Sequence, residues 1–204
     1  HYSWSGHVDK YLKRVRVLRR ETRRSRRCQQ WLSGKLARAG CAIISDIDNT
    51  LLGDRAGLRT FLRLLKERGA RTVFGIATGR RLESALEVLR EWEVPLPDVL
   101  ITSVGSELHY GPEITPDRGW ERHIDYRWRP EQIRRLMLEL PGIELQPDID
   151  QRRFKISFFV DPERAPSMDE IGRTLRQNDL PTNIIYSHDR FLDILPQRAS
   201  KGFA

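Results

Sequence analysis

The stretch from Cys41 to Asp54 constrains this chain most. It reads Cys-Ala-Ile-Ile-Ser-Asp-Ile-Asp-Asn-Thr-Leu-Leu-Gly-Asp. A short apolar run ends abruptly in Asp46, Asp48 and Thr50, and Gly53-Asp54 then makes a turn. An apolar run bounded by a polar cluster reads as a buried strand that delivers side chains to a site. In open α/β sheets ligands bind at the carboxyl ends of the strands. Asp46 and Asp48 point the same way on a continuing strand, and they repel. Packing does not require two carboxylates there. A cation or a proton-transfer task explains them, and a solvated acidic turn is the alternative.

The chain that follows repeats a pattern. Leu58, Leu62, Leu64 and Leu65 mark a helix ending at Gly69, a good residue just past a helix end. Arg71 to Ala77 is a second buried-type strand, Leu82 to Trp92 a helix, and Val99 to Ile101 a third strand. Strand, helix, strand, helix, strand at this spacing predicts an α/β fold with a parallel sheet and right-handed crossovers. Beyond Gly105 the texture changes. Glu107 to Tyr110 reads as a strand leading away from the sheet, and 111–118 as a loop. Pro130 to Leu140 and Pro166 to Gln177 read as helices, with Pro130 suited to the first helical position. Arg153 to Val160, Thr182 to Ser187 and Arg190 to Leu195 read as strands. Strands and helices without repeated crossovers predict an inserted α+β unit over 108–190.

Charge separates the beginning from the rest. Residues 1–40 hold 12 Lys/Arg against 2 Asp/Glu, and the remainder 24 against 26, so the net charge of +8 belongs to the first segment. Val8, Tyr11, Leu12, Val15 and Leu18 lie at helical spacing among Lys10, Lys13, Arg14 and Arg16, an amphipathic basic helix. The run Arg19 to Arg27 has little apolar content. It suits a solvated linker better than a nucleic-acid arm, because no aromatic-interleaved binding surface follows. Nucleic acid is therefore not an expected partner. Trp31 and Leu32 are placed to anchor the linker on the next domain. No apolar run approaches membrane-span length and no signal-peptide pattern opens the chain. Cys28 and Cys41 supply neither a disulfide framework nor metal-ligand spacing. A cytoplasmic, reducing setting without a membrane partner is expected.

Asp46-Ile47-Asp48-Asn49-Thr50 resembles the first motif of the haloacid-dehalogenase-like (HAD) phosphatases. Phe74 to Arg80, a strand ending in Thr78-Gly79-Arg80, resembles their second motif. Ala199-Ser200-Lys201-Gly202 resembles the third, a lysine at a helix start. The long insert sits where members with a large α/β cap carry it. Three weak motifs in order at plausible spacing make a strong signal. The nine residues from Asp46, the run Leu100 to Glu107, and Lys155-Ile156-Ser157-Phe158-Phe159 resemble sucrose-phosphate phosphatases, and equally the phosphatase-like C-terminal domain of bacterial sucrose-phosphate synthases. His1-Tyr2-Ser3-Trp4 with Val8 to Leu12 resembles the last helix of the synthase's glycosyltransferase domain, which favours the synthase.

The resemblance implies an organisation of 1–40 as transferase tail and basic linker, 41–107 and 191–204 as HAD-like core, and 108–190 as inserted cap. It implies Asp46 as nucleophile, Asp48 as general acid and base, Thr78 as a hydrogen-bond partner of the phosphoryl group and Lys201 as its neutralising cation. Asn49, Thr50, Gly79, Arg80 and Lys155 are its candidates for phosphate or substrate contact. Mg²⁺ is the implied cofactor, held by the Asp46 carboxylate and the Asp48 backbone carbonyl. The implied partners are a sugar-phosphate substrate and a glycosyltransferase domain of the same chain. The family's acidic fourth motif belongs downstream of Lys201. The chain is thus expected to be a fragment with a C-terminally truncated sheet, weak Mg²⁺ binding and little turnover. Several residues keep simpler readings: Thr78-Gly79 as a strand-to-helix cap, Arg80 as a surface residue, Lys155 as a snorkelling edge-strand lysine, and Trp120, Tyr126 and Trp128 as core packing. His109, His123 and His188 share no metal-ligand spacing.

Overall fold

The computed structural model describes residues 27, 30–32, 34, 35 and 37–204. The basic helix expected over 8–18 and nearly all of the arginine run lie outside the described residues.

The first unit builds the expected alternation. Strand β1 (Cys41–Ser45) leads to helix α1 (Arg55–Arg68), β2 (Thr72–Ala77), α2 (Leu82–Glu91) and β3 (Val99–Thr102). Asp54 opens α1, its carboxylate accepting from the amides of Ala56 and Gly57. The three strands pair in parallel, in the order β1-β2-β3. Period-two alternation sorts their side chains. Phe74, Ile76 and Leu100 face α1 and α2, where they bury Leu58, Ala85 and Leu89. Val73 and Ile101 face the other way and pack with Leu108, Tyr110 and Leu32. Of the two expected anchors Leu32 is the buried one, whereas Trp31 is 43% exposed.

Three expectations about this sheet are corrected. Glu107–Tyr110 (β4) does not lead away: it turns back and pairs antiparallel with β3. Within the presumed loop a short β5 (Thr115–Pro116) extends the same sheet. The first sheet therefore runs β1-β2-β3-β4-β5. Also, β1 is not buried on both faces. Among the described residues its one neighbour in the sheet is β2, and Ile44 is 58% exposed.

The second unit carries α3 (Arg118–Ile124), α4 (Pro130–Leu138), β6 (Ile143–Leu145), β7 (Ile156–Val160), α5 (Met168–Gln177), β8 (Thr182–Ser187) and β9 (Phe191–Pro196). All its strand pairs are antiparallel, in the order β6-β7-β9-β8. Ile156, Phe158 and Val160 of β7 pack with Leu192 and Ile194 of β9 against Ile133 and Met137 of α4 and Ile171 and Leu175 of α5. A capping box at Ser167 and Glu170 starts α5. The expectation that 191–204 belongs to the core is corrected at strand β9. That strand lies instead in the second sheet, where it pairs with both β7 and β8, and the chain returns to the first unit only after it. The insert's other boundary moves as well, because β4 and β5 belong to the first sheet. A small cluster of Ile124, Phe154, Leu195 and Ala199, with Val104 against it, joins the two units.

Candidate active site

The polypeptide leaves β1 at Asp46 in a tight irregular turn. Asn49 adopts a left-handed conformation (φ 54°), and Ile47 and Leu51 bury beneath the turn. This geometry turns Asp46 and Asp48 to the carboxyl end of the sheet. Asp46 Oδ1 accepts from the Ile47 amide at 2.8 Å. Its Oδ2 accepts from Lys201 Nζ at 2.7 Å, across 155 residues of sequence. The side chains of this pair are 39% and 35% exposed.

Asp48 meets Arg80. The Arg80 Nε donates to Asp48 Oδ2 at 2.9 Å and Oδ1 at 3.1 Å, and Nη2 to Oδ1 at 2.7 Å. The fork of a guanidinium matches a carboxylate in this way. The hydrogen bonds from Arg80 hold the Asp48 carboxyl below its ordinary 3.8, against a smaller opposing effect of burial. Arg80 Nη1 also donates to Ser84 Oγ in the first turn of α2.

Thr78 follows β2 directly and is fully buried, and its hydroxyl accepts from the Arg80 amide at 3.2 Å. That bond sets Arg80 on its course but is not the strand-to-helix cap of the simpler reading, because the residue before α2 is Arg81 and no side chain caps that helix. Gly79 is exposed, and a Cβ there would meet nothing within 4 Å. Thr50 Oγ1 reaches back to the Asp48 carbonyl at 3.4 Å. Asn49 is exposed in the same turn.

Lys155 is not brought to this cluster. It precedes β7, is 8% exposed, and donates to Ser157 Oγ at 2.8 Å and Asp193 Oδ1 at 3.2 Å. The ammonium is thus enclosed and already paired, which replaces the snorkelling reading as well. Trp120 and Trp128 pack between the units and donate to the carbonyls of Gly105 and Arg153. Tyr126 is an exception to the packing expectation: it is 56% exposed, with the Arg198 guanidinium 4.1 Å from its ring centre.

Two contributors were missed at the sequence level. Gly105 (φ 96°) supports the strand of chain that presents Lys201: a Cβ there would lie 2.1 Å from the Ser200 carbonyl carbon and 2.5 Å from the Lys201 amide. Only glycine allows that approach. Glu107 accepts from both Thr102 Oγ1 and Ser103 Oγ at 2.9 Å. Their single sequence signal is the run Val104-Gly105-Ser106-Glu107.

Mg²⁺ takes about six oxygens in near-octahedral order. Here the candidate donors are the Asp46 carboxylate and the Asp48 carbonyl, and both Asp46 oxygens already accept hydrogen bonds. Among the described residues no group of three or more His, Cys, Asp or Glu is placed to hold a metal ion. These residues do not by themselves make a Mg²⁺ site.

A family model described as sucrose-6F-phosphate phosphohydrolase matches residues 40–204. Sucrose-phosphatase 2 of Nicotiana tabacum is 34% identical over 168 residues, 79% of this chain and 40% of that protein. The chain thus spans well under half the length of that relative. A glucosylglycerol-phosphate synthase of Pseudomonas anguilliseptica is 30% identical over 160 residues, 78% of this chain and 20% of that protein. The sucrose-phosphatase of Synechocystis sp. PCC6803, solved in complex with sucrose and phosphate, superposes with a TM-score of 0.75 at 30% identity. That match covers 81% of this chain and 67% of that one.

Proposed function

Because the chain belongs to the sucrose-6F-phosphate phosphohydrolase family, we propose that it is a phosphatase domain acting on sucrose 6-phosphate. We propose further that in the whole protein it follows the glycosyltransferase domain of a sucrose-phosphate synthase, which joins UDP-glucose to fructose 6-phosphate. The observation that carries the phosphatase reading is the 2.7 Å contact between Asp46 and Lys201. It joins the first and third motifs at the carboxyl end of the sheet. The synthase setting is supported by the opening segment's resemblance to a transferase helix. A related domain also occurs within a synthase whose length it fills by only a fifth. A cytoplasmic setting belongs to the same reading, and among the described residues no helix is long and apolar enough to cross a membrane.

A phosphate monoester is extremely slow to hydrolyse unaided, so positioning and charge stabilisation supply most of the acceleration. On this reading an Asp46 oxygen attacks phosphorus while the bond from phosphorus to the sugar oxygen breaks. Asp48 gives that oxygen its proton. Water then attacks the aspartyl-phosphate and Asp48 takes the proton back, releasing phosphate. Lys201 passes from Asp46 to the phosphoryl oxygens as their charge grows. Arg80 holds Asp48 ionised in the structure, so the acid step needs the guanidinium drawn off, and a phosphoryl group is the anion to draw it. Asn49, Thr50 and Gly79 line the turns on either side. Mg²⁺, when bound, would spread the phosphoryl charge. This chain would offer it the Asp46 carboxylate and the Asp48 carbonyl, and weak binding with little turnover is expected from these residues alone.

A second reading is a regulatory or phosphatase-docking module of the synthase. It is favoured by the pairing of both carboxylates with cations and by the sparse metal donors. Phosphate release from sucrose 6-phosphate by the full-length protein separates the two. The phosphatase reading expects Mg²⁺-dependent release that Asp46→Asn abolishes. Undiminished release by Asp46→Asn would refute Asp46 as nucleophile, and no release by the wild-type protein would leave the module.

A further inference from the structure

The run Ser103-Val104-Gly105-Ser106-Glu107 has no part in the chemistry drawn above, yet it holds consecutive left-handed residues near the site. Ser103 (φ 50°) and Val104 (φ 61°) are both left-handed, and Gly105 (φ 96°) follows. A β-branched residue at such an angle is an outlier, and strain of this kind persists only where the surroundings hold it. Glu107 does the holding: one oxygen accepts from the hydroxyls of Thr102 and Ser103. Ser106 Oγ adds a bond to the Ser103 carbonyl at 2.9 Å.

The held loop meets the site at three points. The Ser103 amide donates to the Arg80 carbonyl at 2.8 Å, and the Val104 amide to the Thr78 carbonyl at 3.3 Å. Gly105 packs directly under Ser200 and Lys201. The other oxygen of Glu107 faces the insert, where Arg152 Nε lies 3.6 Å away. Arg152 Nη2 donates to Glu83 Oε2 at 3.1 Å, in the first turn of α2 beside Ser84. From its own side the guanidinium is fixed by bonds from Nη1 to the carbonyls of Ile149 and Gln151, at 2.9 and 2.8 Å. A five-donor fork bound at both ends is a rigid link.

We propose that Glu107 is a positioning residue that holds the Ser103–Gly105 loop beneath Thr78, Arg80 and Lys201, and that Arg152 of the insert loads it. Docking of the insert and alignment of the site are then one event. The purpose of this coupling rests on the phosphatase reading, but its physical content does not.

Arg152→Ala tests it, since Arg152 touches neither Arg80 nor Asp48. Hydrogen exchange measured by NMR reads the Arg80 Nε–H, which donates to Asp48, and the Ser103 amide. The coupling expects both to exchange about tenfold faster or more while the amides of β7 keep their protection. Arg152→Lys restores part of it, and Glu107→Gln reproduces it. Should Glu107→Gln fail to fold, the Arg152 pair carries the test alone. Unchanged exchange at Arg80 and Ser103 would overturn the proposal. So would an acceleration spread evenly over the chain, the mark of a general loss of stability. No substrate enters this measurement. A failed phosphatase assay therefore leaves its outcome standing, and a failed exchange test leaves the phosphatase reading intact.

Discussion

A lysine meets an aspartate in each of the two sheets. In the second, Lys155 and Asp193 are 3.2 Å apart with side chains 10% and 19% exposed, and Ser157 Oγ donates to the same Asp193 oxygen at 2.6 Å. In the first, Lys201 and Asp46 are 2.7 Å apart with side chains 35% and 39% exposed. The closer pair is the more exchangeable one. Water can take up either charge at the end of β1, so an incoming phosphoryl group can replace one partner at modest cost. Inside the second sheet an abandoned charge has no such recourse. Burial, rather than distance, separates a pair that holds a fold from a pair that can take part in a reaction.

The sharpest way to break that contrast is Asp193→Ala. It leaves the Lys155 ammonium enclosed with one hydroxyl, and roughly 2–4 kcal/mol of stability should be lost. Urea unfolding would show a lower midpoint at unchanged slope. A loss below about 1 kcal/mol would make the two pairs alike. Gly105→Ala comes next. Its new Cβ meets backbone rather than a yielding side chain, so about 2 kcal/mol should be lost as the Ser200–Lys201 segment shifts. The NMR signature of the Lys201–Asp46 contact should go with it. Lys201→Met should change stability by less than about 1 kcal/mol, although in the full-length protein it should abolish phosphate release.

Acid should unsettle the first unit in two separate windows. His109 is buried in β4, and desolvation lowers its pKa below the ordinary 6.5, against the opposing fields of Glu107, Glu121 and Glu83. Among the described residues its Nδ1 has no hydrogen-bond partner. The unfolded chain therefore binds a proton that the native chain refuses, and stability falls as pH drops below the ordinary histidine range. His109→Phe should flatten that part of a stability-against-pH curve. Asp48, lowered by Arg80, acts further down. Its contribution is present above 3.8 and is lost as pH falls through its folded value. Half exposure of the Asp48 side chain keeps that contribution small. Smallest of all, millimolar Mg²⁺ should raise the melting temperature by about a degree or less.

The alternation from β1 to β3 was legible because each element is long and periodic enough to declare itself. Asp46, Asp48, Thr78 and Lys201 were legible as motifs, and the fold gathers them at one end of one sheet. The rest depended on pairing between distant segments. Strand β9 has the same apolar pattern whichever sheet it joins, so its move into the second sheet could not be read from its residues. Helix α3 escaped notice because its seven residues fully bury only Ile124. Lys155 looked available because Asp193, its partner, lies 38 residues away. Arg80 could be read as a phosphate ligand or a surface residue, and its grip on Asp48 across 32 residues belonged to neither reading.

The central claim is that the exposed carboxylate of Asp46, and not a water molecule, attacks phosphorus. Borohydride trapping tests it most directly: the full-length protein is mixed with sucrose 6-phosphate and Mg²⁺, quenched into borohydride, and mapped by mass spectrometry. An acyl-phosphate at Asp46 would be reduced to homoserine at that position alone, and only when substrate is present. Phosphate release that proceeds with Asp46 unmodified would contradict the account.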